Sequence, residues 1–510
     1  MKGYFKPITR RKFLKTGMAG GAIMATLPVW KLFSFSAPPT DFYVNPVVNL
    51  SRETLEKLLK AALQHGGEFA EVYVEYTVGN SIGLEENKIY AAQRGVDMGV
   101  GIRVLHGEKT GYAHSDDLSF DKLKQTAEVA GLIAAAGKVT KPVSLKTSKI
   151  PSYYMAKVSP DTIVPQDKAK LLWKANSVGR EYDKKVNQVY VGFADTNKKI
   201  IIANSEGAWV EDVQTISRLV VSISAIDGDK RSQGYAYKGG TLGYEHYDLK
   251  LAEELAKDAG RMALAMLPAE DAPAGEYPIV MAKGHCGTFF HEAIGHSLES
   301  DGIRKKTSCF WDKKGKMIAS DITSLADDGT VPGARGSINV DDEGTPGQNT
   351  VLIEKGKCVN FLYDKLNARL MKAKLTGNGR RESYKHYPIP RMTNTYLLAG
   401  KDDPEDIVKS VKKGMYISRI GGGNVTWVTG RFVFSVPEGY LIEDGKITKP
   451  LKGIQLMGSG PEVLKNIVMA GPDLEIWGGG TCGKDGQGKP VSDGNPTLKV
   501  SKITIGGAKV

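Results

Sequence analysis

The sequence predicts an α+β fold: an N-terminal α+β domain with a weak internal helix–strands–helix repeat, then a C-terminal β-rich, barrel-like domain carrying one important helix. Three observations lead there. In the first half, stretches with helical hydrophobic spacing alternate with runs of period-two spacing. That order occurs twice, and its hairpin tips, GEKTGYAH and GDKRSQGYAY, resemble each other. Beyond a proline-rich break at Leu267–Pro278 the chain is mostly strands and glycine turns, in keeping with 59 glycines against 23 prolines.

The first repeat opens with LSRETLEKLLKAALQHGG, where Ser51 stands as N-cap, Leu55, Leu58, Leu59, Ala62 and Leu63 form an apolar stripe, and Gly66 closes the helix. EFAEVYVEYT alternates as a strand, VDMGVGIRVLHGEKTGYAH reads as a hairpin turning at Gly107, and FDKLKQTAEVAGLIAAAG returns to helical spacing. PQDKAKLLWKANSVGREYD, a strand-rich stretch over 188–237 and DLKLAEELAKDAGRMALAML repeat the order, with KVTKPVSLKTSKIPSYY as a surface linker between the halves. These elements delimit a first domain over 45–268. A second, over 277–510, starts with the short strand IVMAKG; Asp444-Gly445 marks a hairpin, and Pro404 stands in the first turn of a helix at DPEDIVKSVKKG. At 510 residues the chain is too long for one compact core, so two or three domains are expected.

The formal charge of +12 raises the question of nucleic acid or anionic membranes. Seven of the basic residues, Lys2, Lys6, Arg10, Arg11, Lys12, Lys15 and Lys31, precede Ser36 with no acid among them; without them 62 basic residues face 57 acidic ones, a net of +5. No nucleic-acid partner is expected. Residues 1–36 read as an export signal: TRRKFLK pairs Arg10 and Arg11, a short apolar stretch interrupted by Pro28 follows, and Ser34–Ala37 offers small residues for cleavage. The expectation is twin-arginine export to the periplasm or another extracytoplasmic space, with no stable membrane span once the signal is removed. Four cysteines in so long a chain do not make a disulfide scaffold.

The candidate chemistry lies in FFHEAIGHSLESD and just before it, where three of the eight histidines, His285, His291 and His296, fall within twelve residues beside Cys286 and Glu292. Imidazoles bind zinc, and a glutamate beside a ligand can take the proton of a metal-activated water. His291 and His296 are five apart, about 140° around an ideal helix, so a straight helix would splay them. A π-bulge, or loosening at Gly295, brings them together; otherwise this is a polar helix with two unrelated histidines. Apolar Phe289, Phe290, Ala293, Ile294 and Leu298 indicate that the helix is buried, where unpartnered imidazoles are costly. For a third ligand, Cys482 in WGGGTCGKDGQGKP has glycines that allow close approach, although the stretch also reads as a flexible loop; Cys286 and His285 are rivals. Glu299 and Asp301 read as ligands, as acceptors for imidazole N–H groups, or as solvated acids. Asn378, Arg380, Arg381 and Arg391, among glycines and prolines, suit a loop holding a carboxylate or substrate backbone, with Arg380 and Asn378 as the substrate-binding candidates, or else an ordinary surface loop.

HEAIGHSLESD, DDEGTPGQNTVLIEKGK, LNARLM, TGNGRRESY, PRMTNTY, GGGNV, GSGPEVL, TCGKDGQ and NPTLKV, in this order, resemble the TldD/PmbA family of zinc metallopeptidases, over residues 50–510 and most strongly from about 279. The resemblance implies Zn2+ held by His291, His296 and Cys482, with Glu292 as the catalytic base. It also implies dimers, either with a second copy or with a PmbA-type paralogue that lacks the histidine motif, enclosing a cavity for unfolded peptide or protein substrates. The expected function is hydrolysis of peptide bonds in extended polypeptides through metal-activated water; the alternatives are a non-catalytic peptide-binding scaffold or a redox protein, the latter resting only on the export route. Relatives in this family are typically cytoplasmic, unlike the exported protein expected here, and Ser297 and Ser300 stand where they often have glycine.

Overall fold

Ser51 Oγ accepts the Thr54 N–H at 3.1 Å and starts the Arg52–Ala62 helix, which buries Leu55, Leu58, Leu59 and Ala62 on one face. Three strands follow, Phe69–Glu85, Lys88–His106 and Lys109–Ser115, and then the Phe120–Ile133 helix. The order repeats as the Pro165–Glu181 helix, the strands Val186–Asn204, Ala208–Asp227 and Lys230–Gly240, and the Leu249–Met266 helix. The internal repeat is therefore real. Its two halves join where the first strand of each pairs antiparallel, from Glu71 opposite Asn204 to Glu85 opposite Tyr190, so one seven-stranded sheet runs through both. Leu172, Ala175, Val191, Phe193, Val221, Ala256 and Ala259 form the core between the second pair of helices and this sheet.

In this computed structural model, residues 50–135, 140–154 and 156–507 are described, and all belong to one compact unit. The Arg10-Arg11 motif and the rest of the expected signal lie outside the described residues.

The C-terminal half holds a six-stranded and a ten-stranded sheet. Both are open, so the expected barrel-like closure does not occur: the ten-stranded sheet ends at Gly423–Thr426 on one side and Glu270–Asp271 on the other, without those ends pairing. The two sheets instead share one core around a buried helical segment. Phe289, Phe290, Ala293, Ile294 and Leu298 of that segment cluster with Leu352, Ile353 and Leu397 of the six-stranded sheet and Phe432, Leu456 and Val500 of the ten-stranded one. Two stretches predicted as loops differ: WGGGTCGKDGQGKP is a hairpin of strands Glu475–Lys484 and Gln487–Asn495, and much of Thr376–Tyr396 is buried.

Candidate metal centre

The segment carrying the histidines changes its winding as it passes them. Thr288–Phe290 is α-helical, His291–Gly295 is a π-turn, and His296–Leu298 is a 3₁₀ turn. The His296 N–H donates to the His291 carbonyl, the five-residue step of a π-turn, which absorbs the surplus residue and returns both side chains to one side. Their ring centroids lie 5.2 Å apart at 88°. Gly295 lets this turn press against its neighbour: a Cβ there would sit 2.0 Å from Met392 Sδ.

Cys482 arrives on the Glu475–Lys484 strand, opposite Lys489. The strand bulges between Trp477 and Gly480, and Gly479 at φ +64° runs so close to the partner strand that a Cβ would meet Val491 O at 1.7 Å. Arg391 holds the hairpin from below, donating to Cys482 O at 2.6 Å and Gln487 O at 3.0 Å. Cys482 Sγ then lies 3.2 Å from His296 Nε2, and donor atoms of His291, His296 and Cys482 all fall within 4.8 Å of one another. The three are 2%, 5% and 3% exposed.

The donor set fits a metal ion. Both ring nitrogens of His291 are buried without a hydrogen-bond partner among the described residues, which is costly unless something accepts their lone pair or proton. Burial alone would push the Cys482 thiol up, but His291 and then His296 reverse this and bring it down to about 4, so the sulfur is a thiolate. Two imidazoles and a thiolate leave one position of a tetrahedron free.

A second layer orients His296. Its Nδ1 lies 3.0 Å from Glu299 Oε2, and Trp427 stacks on the ring at 5.2 Å. Lys484 Nζ donates to Glu299 at 2.9 Å, to Asp301 at 2.9 Å and to Pro390 O at 3.2 Å. Against the opposing effect of burial, Lys484 and then His296 hold the Glu299 carboxyl down to about 2. An ionised Glu299 accepting from Nδ1–H fixes the tautomer that leaves Nε2 available at the donor cluster.

Glu292 is the acid left open. Its side chain is 37% exposed, its Oε2 is 3.8 Å from His296 Nε2, and it lines a cavity of about 160 Å³ with His291, Cys482, Tyr237, Thr288 and Asp493 among others. The other candidates lie elsewhere. Cys286 donates to Ile417 O at 3.2 Å, His285 packs among Tyr235, Tyr237 and Trp477, and all four cysteines are free. Asn378 and Arg380, expected at the substrate, are 1% and 3% exposed and outside the cavity wall. Asn378 donates to Asp327 and to Arg391 O, and Arg380 to Met392 O and Pro490 O, so both brace the sheets. Lys484, Trp427 and Tyr237 escaped sequence reasoning. Only Lys484 left a signal, since a strand's period of two places it on the face of Cys482.

An α+β chain with a buried His–His–Cys donor set and a cavity-facing glutamate is, by its site, a candidate metal-binding protein. Comparison with known proteins narrows this. The sequence profile of the PmbA/TldA metallopeptidase C-terminal domain matches residues 274–507, that of domain 1 matches 70–134, and that of the central domain matches 158–267. The chain is 39% identical over 468 residues to the metalloprotease TldD homolog of Haemophilus influenzae, covering 90% of this chain and 97% of that protein. It is 40% identical to the metalloprotease TldD homolog of Buchnera aphidicola subsp. Acyrthosiphon pisum, over 89% of this chain and 95% of that one. The zinc metalloprotease TldD homolog of Saccharolobus solfataricus is 26% identical over 88% and 99% of the two chains. In fold, the chain is similar to the crystal structure of TldE from Thermococcus kodakarensis, with TM-score 0.71 and 20% identity over 89% of this chain and 99% of that one. The chain belongs to the PmbA/TldA metallopeptidase family.

Proposed function

We propose that this protein is a zinc metallopeptidase that hydrolyses peptide bonds of extended or unfolded polypeptides. The carrying observation is the convergence of three buried donors, one of them an unpartnered imidazole, beside the half-exposed Glu292 carboxylate in the cavity wall. His291, His296 through Nε2 and the Cys482 thiolate would hold the ion. When bound, zinc supplies Lewis acidity, polarising a carbonyl and bringing the pKa of a water towards about 7. Glu292 takes a proton from the attacking water on its carboxylate and returns it to the amide nitrogen as the C–N bond breaks and the new C–O bond completes the acid product. Glu299 and Lys484 keep the His296 ring from turning while this happens. A cavity of about 160 Å³ excludes a folded surface, which supports an extended substrate.

Glu292→Gln tests the assignment. Zinc content of the purified protein should stay at the wild-type level while peptide cleavage falls by about 10²–10⁴. Normal cleavage by that variant removes Glu292 from the mechanism and favours a peptide-binding scaffold.

We further propose twin-arginine export to the periplasm or an equivalent space, from the Arg10-Arg11 motif, and assembly as a homodimer or with a PmbA-type paralogue. Tyr90 and Val96, 58% and 54% exposed on the Lys88–His106 strand, support an apolar contact between subunits. Fractionation and light scattering check both. The double variant Arg10→Lys, Arg11→Lys should stay in the cytoplasm, and the exported protein should have at least twice the monomer mass.

A further inference from the structure

One end of the cavity is backed by two arginines that the chemistry above does not use. Arg218, on the Ala208–Asp227 strand, lays its guanidinium 3.9 Å over the ring of Tyr237, which lines the cavity. Arg335 comes from the other half of the chain. Its Nε donates at 3.2 Å to the carbonyl of Gly480, another cavity residue, and its backbone N–H donates to Ser492 Oγ at 2.9 Å.

Neither arginine forms an ion pair among the described residues, and neither uses its terminal amino groups in a hydrogen bond there. Elsewhere the buried arginines are engaged: Arg103 and Arg381 pair with Glu71, Arg419 pairs with Asp258 and Glu438, and Arg391 donates to two carbonyls. The Nε of Arg218 is buried with no hydrogen-bond partner among the described residues. Burial, and then the neighbouring Arg218, bring the Arg335 guanidinium down to about 10. A planar fork with free terminal N–H groups matches the two oxygens of a carboxylate.

We propose that Arg218 and Arg335 form a carboxylate-binding subsite beside the catalytic cavity, which selects polypeptides carrying a carboxylate close to the scissile bond. Two sources share this chemistry, a free C-terminus and an Asp or Glu side chain. The inference rests on the peptidase reading, but it concerns binding and is tested by binding.

The metal-loaded full chain carrying Glu292→Gln, in which turnover is suppressed, is titrated with fluorescent peptides of one sequence in three forms: free C-terminal acid, C-terminal amide, and a form with its Glu replaced by Gln. Anisotropy should show the carboxylate form binding about tenfold or more tightly than its neutral counterpart. The arm that loses affinity identifies the source. Adding Arg335→Gln or Arg218→Gln should bring the forms to near-equal affinity without weakening the neutral peptide. Equal affinity of all three forms for the Glu292→Gln protein, a comparison that needs no arginine variant, overturns the proposal, as does a preference that survives both arginine substitutions. Wild-type protein that cleaves none of the peptides, while the preference stands in the Glu292→Gln protein, refutes the peptidase reading alone.

Discussion

In the proposed metal centre His291, His296 and Cys482 would hold the ion, and the geometry of His296 depends on Glu299. That carboxylate is buried, is kept ionised by Lys484, and lies 3.0 Å from Nδ1. Replacing it with glutamine keeps the volume, removes the charge, and allows the amide to present N–H instead of oxygen to the ring. Glu299→Gln should therefore weaken metal affinity by about 10–100-fold, measured by competition with a chromophoric chelator. An unchanged affinity with an unchanged fold means that Glu299 does not orient the ligand. At this scale the sequence was informative where residue type carries the chemistry: His291, Glu292 and His296 share one short segment, and glycines around Cys482 announced a close approach. It was uninformative for Trp427 and Tyr237, whose roles exist only because distant strands bring them to the site. For Asn378 and Arg380, flanking glycines and prolines suggested a surface loop, whereas both side chains are buried as braces between sheets.

At the scale of elements, the surplus residue in HEAIGHSLESD meant that a shared metal requires either a π-bulge or loosening at Gly295, because a straight helix cannot bring residues five apart to one face. The π-turn over His291–Gly295 is the result. The Cys482 stretch was harder to read. Three successive glycines suit a loop, but here they form a bulge inside a hairpin strand, a distinction that depends on the pairing partner. Two glycines of that strand make the point testable. At Gly479, φ is +64° and a Cβ would overlap Val491 O, whereas at Gly483 no atom lies within 4 Å of the added carbon. Gly479→Ala should lower stability by about 1–3 kcal/mol and weaken metal binding by displacing Cys482, while Gly483→Ala should leave both nearly unchanged. Denaturation midpoints and zinc content compare the pair. Equal effects at the two positions contradict the claim that the bulge sets the position of the thiolate.

On the scale of the whole molecule, the alternation of helices and strands and the duplicated order gave the α+β class and the repeat, because both are local patterns. Closure of the second half was not legible, since whether a sheet closes depends on what fills it. Nor could spacing reveal how the halves adhere. Arg381 pairs with Glu71, which also binds Arg103 at 2.8 Å, and Arg103 reaches Glu343 at 2.6 Å, a fully buried chain of alternating charge crossing from one half to the other and back. Nearby, Lys489 Nζ lies 2.9 Å from Asp342 and the Tyr73 hydroxyl donates to the same carboxylate at 3.3 Å. Removing Arg381 leaves Glu71 with Arg103 alone, which Glu343 already shares. Arg381→Met keeps much of the apolar stem but leaves Glu71 short of a cation, and breaking a buried pair in this way costs about 3–5 kcal/mol. Since Glu71 and Arg381 belong to different halves, the loss should be felt by both. Thermal unfolding followed by circular dichroism and by zinc release should shift together, as one transition, to a midpoint lower by several degrees. Two separated transitions, with the first half melting early and zinc retained at the wild-type temperature, contradict this coupling and mean that the halves are stable independently.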